Sequence, residues 1–136
     1  NIFKSQNKND ILVINYDNEI TKEFKNEANG KVIYFSRKTK LDDGIIYDDE
    51  KIKECKDKVR RHILNVKDIH LRGVHNYENV CAAIAATASL VEPKVQAKAI
   101  QNFKGVAHRL EFVREIDGVK FYWNITNKNY SRIKLF

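Results

Sequence analysis

Apolar residues in this chain come first as unbroken runs, then as short alternating stretches, and last at helical spacing. Ile11-Leu-Val-Ile14 and Val32-Ile-Tyr-Phe35 are continuous apolar runs bounded by polar turns, the pattern of strands buried on both faces. We read strands at Asp10–Ile14 and Lys31–Ser36, with a short helix over Thr21–Asn26 between them that stops near Asn29-Gly30. Strand, helix and strand in so short a stretch predict a parallel crossover and a sheet covered on both faces. From Gly44 the segments shorten. Gly44–Tyr47, Lys51–Cys55, Val59–Val66 and Ile69–Leu71, set apart by turn residues, predict a small antiparallel patch appended to the sheet. Two helices come next, one over about Asn76–Leu90 and one from Pro93, a residue suited to the first helical position, to Phe103. Asp117-Gly118 between Arg109–Ile116 and Val119–Tyr122 is a two-residue hairpin signal. The predicted fold class is α/β: a partial, mostly parallel sheet flanked by helices, with a small antiparallel patch and a C-terminal β-hairpin.

Composition adds bounds rather than chemistry. A chain of 136 residues at 43% hydrophobic content is long enough for a domain with a real core. No stretch approaches the length of a membrane span and nothing resembles a signal peptide, so a cytoplasmic protein without a membrane partner is expected. Met is absent, even at position 1, which predicts a processed product or a piece of something longer. Cys55 and Cys81 lack metal-ligand spacing, and Cys81, on the apolar helix, reads as a small buried thiol. The net charge of +7 attracts polyanions without specificity. Its densest run, Lys51 to Arg61, is interrupted by Glu54 and Asp57, and a solvated hairpin face explains it better than a nucleic-acid patch.

The chemistry gathers at Leu71-Arg-Gly-Val-His-Asn-Tyr-Glu-Asn79. Gly73 supplies a tight turn, and the apolar run from Val80 to Leu90 predicts a helix that begins near His75 or Asn76. The first N–H groups of such a helix have no intrahelical partner and carry the positive end of its dipole. Asn76 and Asn79, three apart, put two carboxamides on nearly one face of that turn, where donors and acceptors together read the edge of a base such as adenine. Capping of the helix is the other reading of Asn76, and it stays open at this point; Asn79 lies further inside the helix, where capping explains it less well.

Gly73-x-His75-Asn76-x-x-Asn79, then Phe103-x-Gly105-x-x-His108-Arg109-x-Glu111 and Gly118-Val-Lys-Phe-Tyr122, resembles the bacterial Mur ligases in order and spacing over residues 1–122. The His108-Arg109 form is most similar to the branch that adds D-glutamate, and the strand ending in Asn15-x-Asp17-Asn18 also fits the family's central ATPase domain. The resemblance implies an ATP-dependent amide ligase of peptidoglycan synthesis, with magnesium, in which the carboxylate of UDP-N-acetylmuramoyl-L-alanine is activated as an acyl phosphate and attacked by D-glutamate. It implies that Asn76 and Asn79 contact the adenine and that Arg109 reaches the nucleotide, where a planar guanidinium bonds phosphate or ribose oxygens. Without the motif, Arg109 reads as a residue ion-paired with a neighbour such as Glu111, or as a solvated strand residue. His75 and His108 read as structural residues at turns.

The resemblance further implies that residues 1–104 are the second half of the central ATP-binding domain. Residues 105–122 are then the opening hairpin of the C-terminal ligase domain, and 123–136, which lack the family's Asp-Ser pair, a divergent tail. No Gly-x-x-x-x-Gly-Lys-Ser/Thr phosphate loop occurs, and the family's metal ligands and carbamylated lysine would lie before Asn1. The chain alone is therefore expected to be inactive, with an unpaired sheet edge open to self-association. Two other function classes remain: a noncatalytic nucleotide-binding module, and a basic nucleic-acid or protein-interaction domain.

Overall fold

The computed structural model describes residues 2–71, 73–105, 109–126 and 130–135. It divides into two compact units, Asn1–Asn102 and Phe103–Phe136.

The first unit is built on one five-stranded sheet in the order β1-β2-β3-β4-β5. Strands β1 (Ile11–Asn15) and β2 (Lys31–Ser36) pair in parallel, with Val13 opposite Ile33. Strand β3 (Gly44–Asp48) continues the parallel set, but it overlaps β2 only at Phe35–Ile45 and Ser36–Ile46. That stagger lets a connection of seven residues serve where a full parallel crossover needs a dozen or more. Gly44 is required there: its φ is +131° and a Cβ would stand 2.4 Å from the Tyr34 carbonyl oxygen. Strands β4 (Lys51–Lys56) and β5 (Val59–Asn65) then add antiparallel. The α/β class and the antiparallel patch are as the sequence predicts, with one correction. Ile69–Leu71 form no strand, because the chain leaves β5 through a 3-10 turn at Val66–Asp68, which buries Val66 and Ile69 in the core instead.

Helix α1 (Glu19–Lys22) is capped by Asn18, whose side chain accepts from the N–H groups of Ile20 and Thr21, and it tightens into a 3-10 turn at Glu23–Glu27. The single predicted helix over Thr21–Asn26 is thus two shorter pieces. Helix α2 (Val74–Thr87) buries Val80, Cys81, Ile84 and Ala85, which recur at 3–4 spacing, against Val13, Ile33, Phe35 and Ile45 of the sheet. Helix α3 (Pro93–Asn102) comes after it. Buried Gln96 ties the two: its Nε2 donates to the Ile84 carbonyl at 3.0 Å and to Thr87 Oγ1 at 2.8 Å, which satisfies an orphan acceptor at the end of α2. On the opposite sheet face Leu41, Ile46 and Cys55 pack with Tyr16 and Tyr34, and the Tyr34 hydroxyl donates to the Lys22 carbonyl of α1. Both faces are therefore covered, as two-sided apolar strands require.

Both cysteines are free and buried, and burial pushes the Cys81 thiol up to about 12. Three of the six basic residues of the Lys51 to Arg61 run are ion-paired within its own hairpins: Lys53 with Asp48 at 2.6 Å, Lys51 with Asp49 at 3.6 Å, and Arg61 with Glu54. No helix among the described residues is long and apolar enough to cross a membrane.

In the second unit β6 (Arg109–Ile116) and β7 (Val119–Thr126) form the hairpin expected around Asp117-Gly118. Strand β8 (Tyr130–Leu135) extends it to three antiparallel strands, so β7 runs four residues past the predicted hairpin.

Candidate functional site

Strands β1 and β2 end on the same side of the sheet, and one carboxylate organises the loops that leave them. Asp17, two residues beyond β1, accepts from Ser36 Oγ (2.6 Å), the backbone N–H of Arg37 (2.8 Å) and of Lys38 (3.0 Å), and Thr39 Oγ1 (3.1 Å). Burial, the largest single influence, pushes its carboxyl up, but these four donors together outweigh it and hold the group below the ordinary 3.8. The loop after β2 is therefore pinned by charge-assisted bonds to the loop after β1.

That pinned loop reaches the first turns of α2. Arg37 Nε donates to Glu78 Oε1 at 2.6 Å, with only 28% and 27% of the two side chains exposed. One residue earlier in the helix, Tyr77 stacks on Tyr47 of β3, ring centroids 5.8 Å apart and planes 15° apart. The start of α2 is thus gripped by a guanidinium from the β2–β3 connection and by an aromatic ring from β3.

The helix begins at Val74, one to two residues before the start predicted near His75 or Asn76. Its N-cap is Gly73 at φ 104° and ψ 141°, a conformation glycine alone adopts readily, and Gly73 has no side chain with which to cap it. Asn76 is therefore a first-turn residue and not the N-cap itself. Its backbone N–H bonds the Gly73 carbonyl at 2.9 Å. Asn76 is half-buried and Asn79 is exposed. The structure brings these two predicted residues together on one helical turn. Arg109 starts β6 in the second unit; its side chain, like His108, lies outside the described residues. Among the described residues no cluster of three or more His, Cys, Asp or Glu is placed to hold a metal ion.

Sequence reasoning missed Arg37, Tyr47, Tyr77 and Glu78. Glu78 lies between the two asparagines in the same motif, and that position was its only local signal. Arg37 carries none, since its partner is 41 residues away.

An α/β sheet whose parallel strands end at a pinned loop, against a helix start bearing two carboxamides, has the layout of α/β domains that bind ligands beyond the carboxyl ends of their strands. The chain belongs to the Mur ligase family: the family's middle domain matches residues 1–87. It is 46% identical over 132 residues to the UDP-N-acetylmuramoylalanine--D-glutamate ligase of Ruminiclostridium cellulolyticum, covering 97% of this chain and 28% of that protein. The protein of the same name from Acetivibrio thermocellus is 48% identical over 122 residues, 90% of this chain and 26% of the relative. Among solved structures, the UDP-N-acetylmuramoylalanyl-D-glutamyl-2,6-diaminopimelate--D-alanyl-D-alanyl ligase of Acinetobacter baumannii superimposes with a TM-score of 0.58 over 79% of this chain and 24% of that one. At 16% identity it supports the fold alone. The chain spans about a quarter of the length of the relatives it matches.

Proposed function

We propose that this chain is the part of an ATP-dependent D-glutamate-adding ligase that receives the adenine end of the nucleotide. The single observation that carries the proposal is the pairing of Asn76 and Asn79 on one anchored turn of α2, in a chain 42–48% identical to the three D-glutamate ligases of R. cellulolyticum, A. thermocellus and Clostridium novyi. Two carboxamides about 60° apart on a helix offer donor and acceptor edges together, the complement of a purine's amino and ring-nitrogen edge. Arg109, at the start of the following unit, would add a guanidinium toward phosphate or ribose oxygens. Residues 105–122 would then open the C-terminal ligase domain.

ATP in the whole enzyme supplies the phosphoryl group that activates the carboxylate of UDP-N-acetylmuramoyl-L-alanine for attack by D-glutamate. The residues of this chain hold the base and leave the transferring phosphate to other parts of the enzyme. The described residues gather no three-ligand cluster for magnesium, and the role proposed for this chain involves no step through it. The noncatalytic nucleotide-binding reading describes what the isolated chain does. The nucleic-acid reading is the weaker one, because half of the basic residues of the Lys51 to Arg61 run are already ion-paired within the hairpins.

Calorimetry on the 136-residue chain with ATP and with adenosine tests the proposal. Asn79→Ala should weaken both ligands to a similar degree, by about 3–10-fold, the value of one lost hydrogen bond. Binding that is indifferent to Asn79→Ala, or that varies with salt rather than with the base, overturns it.

A further inference from the structure

We propose that Arg37 and Glu78 are positioning residues: their ion pair holds the first turns of α2 in place and thereby sets the affinity of Asn76 and Asn79 for an adenine-bearing ligand. The inference rests on the nucleotide reading of those two asparagines.

The geometry of the turn divides its labour. At 100° per residue, Tyr77 and Glu78 stand about 100° and 200° around the helix from Asn76, and Asn79 about 300°. The two carboxamides are thus neighbours about 60° apart, Asn79 exposed and Asn76 half-buried, while the two residues between them grip the sheet and the loop after β2. Tyr77 does so through Tyr47, and Glu78 through Arg37. A helix start normally frays unless a side chain caps it. This one is begun by a glycine, which has no side chain of its own to cap with, and the grips on Tyr77 and Glu78 hold it to the rest of the unit.

The Arg37–Glu78 pair suits that role. It bridges 41 residues of sequence and both partners are largely shielded, unlike the exposed pairs that contribute little. Its arginine does not hang from a loose loop, since the Arg37 N–H is bonded to Asp17, which also holds Ser36, Lys38 and Thr39. A continuous chain of charge-assisted bonds therefore runs from the end of β1, through the loop after β2, to the residue flanked by Tyr77 and Asn79. Two amides that read one molecular edge need placement within a fraction of an ångström, which a fraying turn cannot supply.

A double-mutant cycle on the full chain tests this, with Arg37→Met, Glu78→Gln and the double variant. Adenosine titrations read affinity, and amide hydrogen exchange reads the helix turn by turn. Each single change should weaken adenosine about 3–10-fold, and the double should weaken it no further than the worse single, because both remove the same contact. Exchange should quicken at residues 76–79 and stay unchanged at the buried stretch 81–85. Single variants that bind adenosine like the parent, losses that simply add, or exchange that quickens equally along all of α2 each overturn the proposal. Asn79→Ala separates the two readings. If it weakens binding while the cycle shows no coupling, only the positioning role fails; if the parent chain binds no adenosine, the nucleotide reading fails and takes this one with it.

Discussion

The parallel and antiparallel halves of the sheet share β3 but obey different rules. In the parallel half, β1 and β2 are apolar on both faces, their ends are tied by side chains distant in sequence, and each described non-glycine residue there keeps φ negative. In the antiparallel half the strands alternate with charged positions, their ion pairs are local, and the turns themselves carry the unusual backbone: Asp49, Glu50, Asp57 and Lys58 all have φ between 50° and 67°. The first half holds its geometry by long-range polar bonds and carries the candidate site. The second holds it by register and turn type, and serves as a wall of the core.

The sharpest way to break this comparison is to ask whether the halves are separate in stability. Ile84 of α2 lies over the parallel strands and Leu64 belongs to β5, yet both are 1% exposed in a single cluster. Ile84→Ala and Leu64→Ala should each cost about 3 kcal/mol, the usual value for emptying a buried aliphatic site. Urea unfolding monitored by circular dichroism should show one transition moved by either change. A split transition for Leu64→Ala alone would mean that the antiparallel half is an independent appendage.

Asp17 tests the long-range polar bonds of the parallel half. Asp17→Asn replaces one acceptor oxygen by an amide donor that faces either the Ser36 and Thr39 hydroxyls on Oδ1 or the N–H groups of Arg37 and Lys38 on Oδ2, and should cost about 1–3 kcal/mol near neutral pH. Because the folded carboxyl titrates below its ordinary 3.8, its contribution is present above that pH and is lost as the pH falls through the lower folded value. Thermal melts across the acid range should therefore show parent and variant converging below about pH 3.8. A constant gap at all pH values would show that the charge contributes nothing.

The same contrast explains what could be read in the sequence. Strands β1 to β4 were legible to within a residue or so, because apolar runs and turn residues are local signals, and the Asp117-Gly118 hairpin was legible for the same reason. The pair Asn76 and Asn79 was visible as a spacing on one helix. Arg37–Glu78, Tyr47–Tyr77 and the four donors on Asp17 were not, since each joins segments that only the crossover brings together. The helix start was misplaced because Gly73, a turn residue to the eye, is itself the cap. The pairing of Ile63 with Leu64, adjacent yet both buried, depends on a register shift opposite Ile52 and Lys53 that alternation cannot foretell.

The smallest effect sharpens the other side of the comparison. The connections β3–β4, β4–β5 and β6–β7 are two-residue turns with positive φ at both positions, the mirror-image type that matches the twist of a hairpin. Only the last has a glycine, Gly118, whose missing Cβ meets nothing within 4 Å. At Lys58, φ is 67° in an exposed turn, where a side chain strains the backbone by about 1–2 kcal/mol and glycine does not. Glycine also enlarges the unfolded ensemble, which offsets roughly 0.5–1 kcal/mol of that gain. Lys58→Gly should therefore stabilise the chain by less than about 1 kcal/mol, read as a small rise in melting temperature without change in adenosine affinity. If it destabilises instead, the turn is held by its side chain and not by its backbone type, and the antiparallel half depends on more than register and local turn geometry.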